Sequence, residues 1–308
     1  MVRRMLVLLA VIPLTLVPPT ASADTARHPV VYSGAVALAH AALHPDTPPA
    51  GANDPTCRPT RRHPRPVVLV HGTAENMTYN WHTLSPLLAN HGYCVFALNY
   101  GQLPGLHVGL PGSRQAGGVA HVPESAAQLA AFVDEVLAVT GASQVDIVGH
   151  SQGGMMPRYY LKFLGGADMV HTLVGLAPSN HGTTISGLAH VPGVPELLAA
   201  GIGPAVTDQI TGSDFMLKLN EGGDTVPGVH YTVIATRYDE VVTPYTSAFL
   251  EGPNTTNITL QDLCGPLHAS EHFALPFDAA ALQHVLNALD PAHTEPVTCG
   301  LVLPVDGG

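Results

Sequence analysis

Gly149-His150-Ser151-Gln152-Gly153 lies directly between an apolar strand pattern, Val145-Asp146-Ile147-Val148, and a helical stretch from Gln152 to Leu164. A serine on so tight a turn is held in strained backbone geometry with its Oγ pointing outward, and the small residues beside it let neighbouring chain approach closely. The turn needs a buried strand before it and a helix packed back on the sheet after it. Such a unit fits a chain in which strands and helices alternate around a mostly parallel sheet. The string alone would be weak evidence in a chain with 31 glycines, but its strand-turn-helix setting and Gly154 extending the turn argue against chance.

The rest of the sequence fits this reading. Val67-Val68-Leu69-Val70 is a short β-branched run suited to a strand buried on both faces. Trp81, Leu84, Leu87 and Leu88 stand at helical spacing, and Tyr93 to Leu98 reads as a strand. Leu129, Phe132, Val133, Val136 and Leu137 mark an amphipathic helix closed by Gly141. Strand patterns recur at Thr172 to Leu176 and His230 to Ala235, and Leu282, Val285, Leu286 and Leu289 mark a last helix. The expected class is α/β, a central sheet flanked by helices, in one domain over 67–308.

Two Gly- and Pro-rich stretches, at about 102–122 and 182–228, interrupt the alternation as insertions above the strand ends. Gly182 to Gly212 holds only two charges, Glu196 and Asp208, but Pro192, Pro195 and Pro204 exclude a continuous membrane-spanning helix. Such a stretch is either an apolar cap over a pocket or an ordinary packed insertion. Residues 24–66, rich in Pro, His and Arg, read mainly as an extended arm with one short helix at Val36 to His44.

Residues 1–23 carry Arg3-Arg4, an apolar run from Met5 to Val17 and the small-residue end Ala21-Ser22-Ala23, the pattern of a cleaved signal peptide. The apolar run is short of the ~20 residues a spanning helix needs. A secreted, extracellular protein starting at Asp24, with no transmembrane segment in the mature chain, is therefore expected. The 46% hydrophobic content excludes disorder as the main state, and 23 acids against 12 bases make nucleic acid a poor partner. An even set of four cysteines, Cys57, Cys94, Cys264 and Cys299, suits disulfides in an oxidising compartment and allows three pairings. Pairing neighbours would stabilise each loop by about 3 to 4 kcal/mol. No short Cys-x-x-Cys or His-Glu-x-x-His spacing supports zinc, and His40 with His44 at i, i+4 is the only hint of metal. No metal and no cofactor are expected.

A serine hydroxyl is a weak nucleophile until a histidine takes its proton and an acid orients that histidine. In the α/β-hydrolases, whose Gly-x-Ser-x-Gly turn this stretch resembles, the acid and then the histidine follow the serine in chain order, each on a loop after a late strand. Asp239, at the carboxyl end of the strand from Tyr231 to Ala235, is the candidate acid, with Glu240 its nearest rival and Asp262 a surface or structural carboxylate. Of the eighteen histidines, that order points to the loop after Cys264. It carries His268 and His272, and His272, just before the approach to the last helix, is the candidate base. A swap between the two is the main alternative. Acyl transfer also needs oxyanion donors: the Gln152 N–H beside the nucleophile and the Thr73 N–H in His71-Gly72-Thr73, with the Thr73 hydroxyl as a third. Thr73 reads alternatively as a helix cap.

His71-Gly72-Thr73, the stretch from Asn80-Trp81 to Tyr93-Cys94, the run from Gly149 to Gly154, Leu176-Ala177-Pro178-Ser179-Asn180-His181-Gly182-Thr183 and Asp239-Glu240-Val241-Val242 together resemble the secreted bacterial class-two lipases. Asp239-Glu240 and Cys264-Gly265-Pro266-Leu267 are also similar to signatures of the yeast lipase B type of α/β-hydrolase. That type has Thr-Trp-Ser where this chain has Gly149-His150-Ser151. The resemblance covers about Val67 to Leu289. It implies the α/β-hydrolase fold, a Ser151–Asp239–His272 triad, Thr73 and Gln152 at the oxyanion hole, and the pairings Cys57–Cys94 and Cys264–Cys299. The arm has no counterpart in it.

The function expected is secreted carboxylic-ester hydrolysis through an acyl-enzyme, with an acylglycerol or other ester as substrate, at a lipid–water interface. Two other readings are a polyester or cutin-type esterase and a non-catalytic lipid-binding protein on the same fold. Activity is expected to fall at acidic pH as the base protonates.

Overall fold

The computed structural model describes residues 27–44, 46–106 and 116–308; the expected signal segment 1–23 and part of the 102–122 insertion lie outside them. The described chain opens with α1 (Gly34–Leu43), then β1 (Val67–Val70), α2 (Met77–Asn80), α3 (Leu84–Asn90) and β2 (Val95–Leu98). Next come α4 (Val122–Thr140), β3 (Val145–His150), α5 (Gln152–Phe163) and β4 (Val170–Leu176). The second insertion carries α6 (Val194–Ile202), α7 (Ala205–Asp208) and α8 (Asp214–Asn220). The chain closes through β5 (His230–Ala235), β6 (Thr255–Thr259), α9 (Leu260–Cys264) and α10 (Ala279–Leu289).

The strands form one sheet in the order β2-β1-β3-β4-β5-β6, with every neighbouring pair parallel. β1 is buried at all four residues, and its alternating side chains feed two cores. Val68 and Val70 pack on the side of Leu129 and Val133 from α4 and Met155 and Met156 from α5. Val67 and Leu69 join Leu84 and Leu88 of α3 and Leu282, Val285 and Leu289 of α10 on the other side. The chain runs from β1 outward to β2 and returns past β1 to β3. This reversal opens a crevice above the carboxyl ends of β1 and β3, where open parallel sheets place their ligands.

Local signals explain the helix limits. Gly141 ends α4 in the left-handed region at φ 72°, and Asp278 caps α10 by accepting from the Ala280 and Ala281 N–H groups. The helix expected through Trp81 is two short ones with Trp81 in the turn between them. Pro86 has no N–H to offer the carbonyl four residues back, so α3 starts at Leu84. β6, which the sequence pattern did not suggest, is a polar, half-exposed edge strand of Thr255-Thr256-Asn257-Ile258-Thr259.

The segment ahead of β1 is fastened to the body. Asn53 bonds the main chain of Val95 and Ala97 along the free edge of β2, and Ala52 makes a parallel bridge to Val95. Thr78, Thr83 and Ser85, all buried, give their hydroxyls to carbonyls of Thr47, Val31 and Ala50. The C-terminal tail holds the start of α1: Asp306 accepts from the Ser33 hydroxyl and from the Gly34 and Ala35 N–H groups. Disulfides Cys57–Cys94 and Cys264–Cys299 follow the pairing the resemblance implies. No described helix is long and apolar enough to cross a membrane.

Candidate active site

Ser151 sits between β3 and α5 at φ 54°, ψ −125°, a conformation strained for any L-residue. Its neighbours must be glycines: a Cβ on Gly149 would lie 1.9 Å from the Gly153 carbonyl oxygen, and one on Gly153 would lie 2.0 Å from that of Val70. The Ser151 N–H donates to Leu176 O at the end of β4, which anchors the turn. The side chain is almost enclosed and lines a cavity of about 490 Å³ together with His272, Thr73 and His150.

Asp239 lies in the loop after β5. Its Oδ1 accepts from the Val241 and Val242 N–H groups at 2.9 and 2.7 Å, and its Oδ2 lies 3.0 Å from His272 Nδ1. A carboxylate only accepts, so this contact puts the proton of neutral His272 on Nδ1 and leaves Nε2 as the basic nitrogen. Both side chains are buried, which strengthens their interaction. His268, four residues earlier, turns elsewhere: its Nε2 meets Asp278 Oδ2 at 2.7 Å, so it is a buried partner of the α10 cap rather than a plain loop histidine.

The rival acids point away from the His272 ring. Glu240, partly covered at its carboxyl, has Oε2 3.5 Å from the His272 main-chain nitrogen; that desolvation and the neighbouring Glu271 carboxyl raise it to about 7. Asp262 is an exposed partner of Arg237.

The loop after β1 brings Thr73 beside Gln152, the first residue of α5. The Thr73 hydroxyl donates to Gln152 Oε1 at 2.9 Å and accepts from Gln209 Nε2 at 2.9 Å, so it is not acting as a helix cap. Gln209 follows α7 in the second insertion; its Nε2 also reaches Gln152 Oε1 and Ala205 O, and its Oε1 accepts from Ser179. The sequence reading did not single out Gln209, because nothing local marks a glutamine in an insertion as a partner of Thr73. Gln261 was missed for the same reason. This buried side chain bonds Arg237 N, the Thr236 hydroxyl and His268 O, tying the loop of Asp239 to that of His272.

The cavity wall is mainly apolar. Ile185, Leu198, Ile202 and Val206 come from the second insertion, Val241, Val242 and Phe273 from the acid and histidine loops, and Leu38, Ala41 and Ala42 from α1. The arm therefore supplies one wall. Burial holds His71, two residues before Thr73, at about 4, and the neutral ring donates Nδ1–H to Gly72 O. Among the described residues no three His, Cys, Asp or Glu side chains are arranged to hold a metal ion.

A family model described as lipase (class 2) matches residues 64–284. A triacylglycerol lipase of Pseudarthrobacter phenanthrenivorans is 37% identical over 99 residues, 30% of this chain and 27% of that protein. Lipase B of Pseudozyma antarctica is 28% identical over 147 residues, 46% of this chain and 40% of that one. The matched stretch thus spans about a quarter of the length of the bacterial relative and well under half of the other. The crystal structure of Aspergillus fumigatus lipase B superposes with a TM-score of 0.63 at 23% identity, over 83% of this chain and 60% of that chain. This likeness bears on the fold, which is that of the α/β-hydrolases. With a family model matched over most of its length, the chain belongs to the class 2 lipase family.

Proposed function

We propose that the protein is a secreted carboxylic-ester hydrolase acting on acylglycerols through an acyl-enzyme. Ser151 Oγ attacks the ester carbonyl while His272 Nε2 takes its proton, and Asp239 holds the imidazole and stabilises its cation. The Gln152 N–H, at the positive end of α5, and the Thr73 N–H receive the oxyanion; the Thr73 hydroxyl turns from Gln152 Oε1 to add a third donor. His272 then returns its proton to the leaving alcohol and activates the water that releases the acid.

The observation that carries this reading is the buried His272–Asp239 hydrogen bond on the same cavity as a serine held at positive φ. The apolar wall supports an acyl chain as the bound group, and the two disulfides support export by the 1–23 segment. The test is a chain-length series of p-nitrophenyl esters, with an emulsified acylglycerol, on wild type and Ser151→Ala. The variant is expected to lose nearly all turnover and all labelling by a serine-directed organophosphonate. Wild-type kcat/KM is expected to fall from about pH 8 to about pH 5. Full activity in Ser151→Ala would refute the reading.

A further inference from the structure

His150 fills the variable position of the Gly-x-Ser-x-Gly turn, and the reaction above gives it no task. It is nonetheless an ionisable group sealed into the site, 1% exposed. Its Nε2 lies 3.0 Å from the main-chain oxygen of His272, and its Nδ1 lies 3.1 Å from Glu75 Oε2. A carbonyl oxygen and a carboxylate oxygen only accept, so each ring nitrogen facing one of them carries a hydrogen and the ring is an imidazolium.

A neighbouring contact fits this charge once its amide is turned over. The Nδ1 also lies 3.1 Å from the side-chain nitrogen of Asn80, while Asn80 Oδ1 is buried with no partner. The oxygen and nitrogen of an amide have nearly the same shape and are assigned from their contacts. Exchanging them gives the His150 Nδ1–H a second acceptor and moves the buried amide atom without a partner from the oxygen to the nitrogen. Burial disfavours the charge on His150, but Glu75 and the His272 carbonyl outweigh it and raise the group.

Glu75 is buried as well, and the same Oε2 accepts the Gly72 N–H at 2.9 Å. One enclosed ion pair is thereby bonded to the three segments that bear the reacting groups: the loop of Thr73, the turn of Ser151 and the loop of His272. We propose that His150 is a positioning residue whose cation, anchored on Glu75, holds the His272 main chain against the Ser151 turn and fixes the reach of base to nucleophile. The inference rests on the Ser151–His272–Asp239 reading. Its force comes from geometry, because a misplacement of about 1 Å costs on the order of 100-fold in rate. His272 acts in both acylation and deacylation, so the effect falls on kcat while substrate binding is kept.

The test compares His150→Leu, which fills the space without a donor, with His150→Gln, whose amide still reaches the His272 carbonyl. Rates on p-nitrophenyl butyrate are expressed per folded protein, measured by near-ultraviolet circular dichroism. His150→Leu is expected to lose about 100-fold in kcat with KM nearly unchanged, and His150→Gln to recover most of it. Wild-type kcat in His150→Leu, or equal losses in the two variants, would overturn the proposal. A measurement without turnover accompanies it: in Ser151→Ala protein, nitrogen NMR of the imidazoles is expected to find both His150 nitrogens protonated at neutral pH. A neutral His150 ring there would also overturn it. If Ser151→Ala is inactive while His150→Leu is not, only this inference fails; an active Ser151→Ala removes the reading beneath it.

Discussion

At the scale of single residues, the site is a set of buried polar groups whose protonation is set by what each atom faces. His71, His150, His268 and His272 lie close in sequence or space, yet they meet a main-chain carbonyl, a glutamate, Asp278 and Asp239 respectively. The Glu75–His150 pair has a predictable effect on stability. His150 is raised despite its burial, so its contribution is complete below the ordinary histidine range and is lost as pH rises through the raised value. Burial pushes Glu75 up but the His150 charge outweighs it, so its contribution is complete above the ordinary carboxylate range and is lost as pH falls through the lowered value. The groups around the pair are Asn80, His71, Tyr79, Tyr100, Asp239 and His272. Thermal unfolding of wild type and Glu75→Gln should therefore differ most between about pH 5 and 6.5, by about 3 kcal/mol. A constant difference from pH 4 to about 9 would contradict this account.

At the scale of elements, α1 matters most because it belongs to the segment ahead of β1 and still forms a wall of the cavity. Ala37 and Ala41 are small enough to let it lie close to the body, and Asp306 satisfies its first N–H groups. Ala41→Phe should place a ring in the cavity. We expect activity on long acyl esters to fall about 10- to 100-fold while short esters are spared, as a chain-length series would measure. An unchanged profile would mean that acyl chains do not reach α1. Asp306→Ala should remove the acceptor of the Ala35 N–H and the Ser33 hydroxyl while Ser33 still caps Val36 N–H, and cost about 1 kcal/mol, read as a lower thermal midpoint. The periodicity of α4 and α10 was plain because each buries one face of a long helix. β6 gave no such signal: a polar edge strand whose one apolar residue is Ile258 has no apolar alternation to show.

At the scale of the whole molecule, the two disulfides tie the segment before β1 and the tail after α10 to the body. Cys57–Cys94 fixes the segment before β1 to the start of β2, and Cys264–Cys299 fixes the tail that carries Asp306. The double variant Cys264→Ser with Cys299→Ser should lose about 3 kcal/mol of stability, and hydrogen exchange at the start of α1 should speed up with it. Normal protection of α1 would separate the tail from the helix. The sequence by itself determined the alternation of strand and helix and the serine turn, because hydrophobic period and glycine geometry act between residues close along the chain. The chain order of the family it resembles, applied to the strand pattern, narrowed the acid and the histidine to two loops. Only the tertiary structure decided that His272 meets Asp239 while His268 meets Asp278, that Gln209 reaches Thr73, and that the arm closes the cavity. The His272–Asp239 and Gln209–Thr73 contacts join residues 33 and 136 apart, and strand order and loop path bring them together rather than any local spacing.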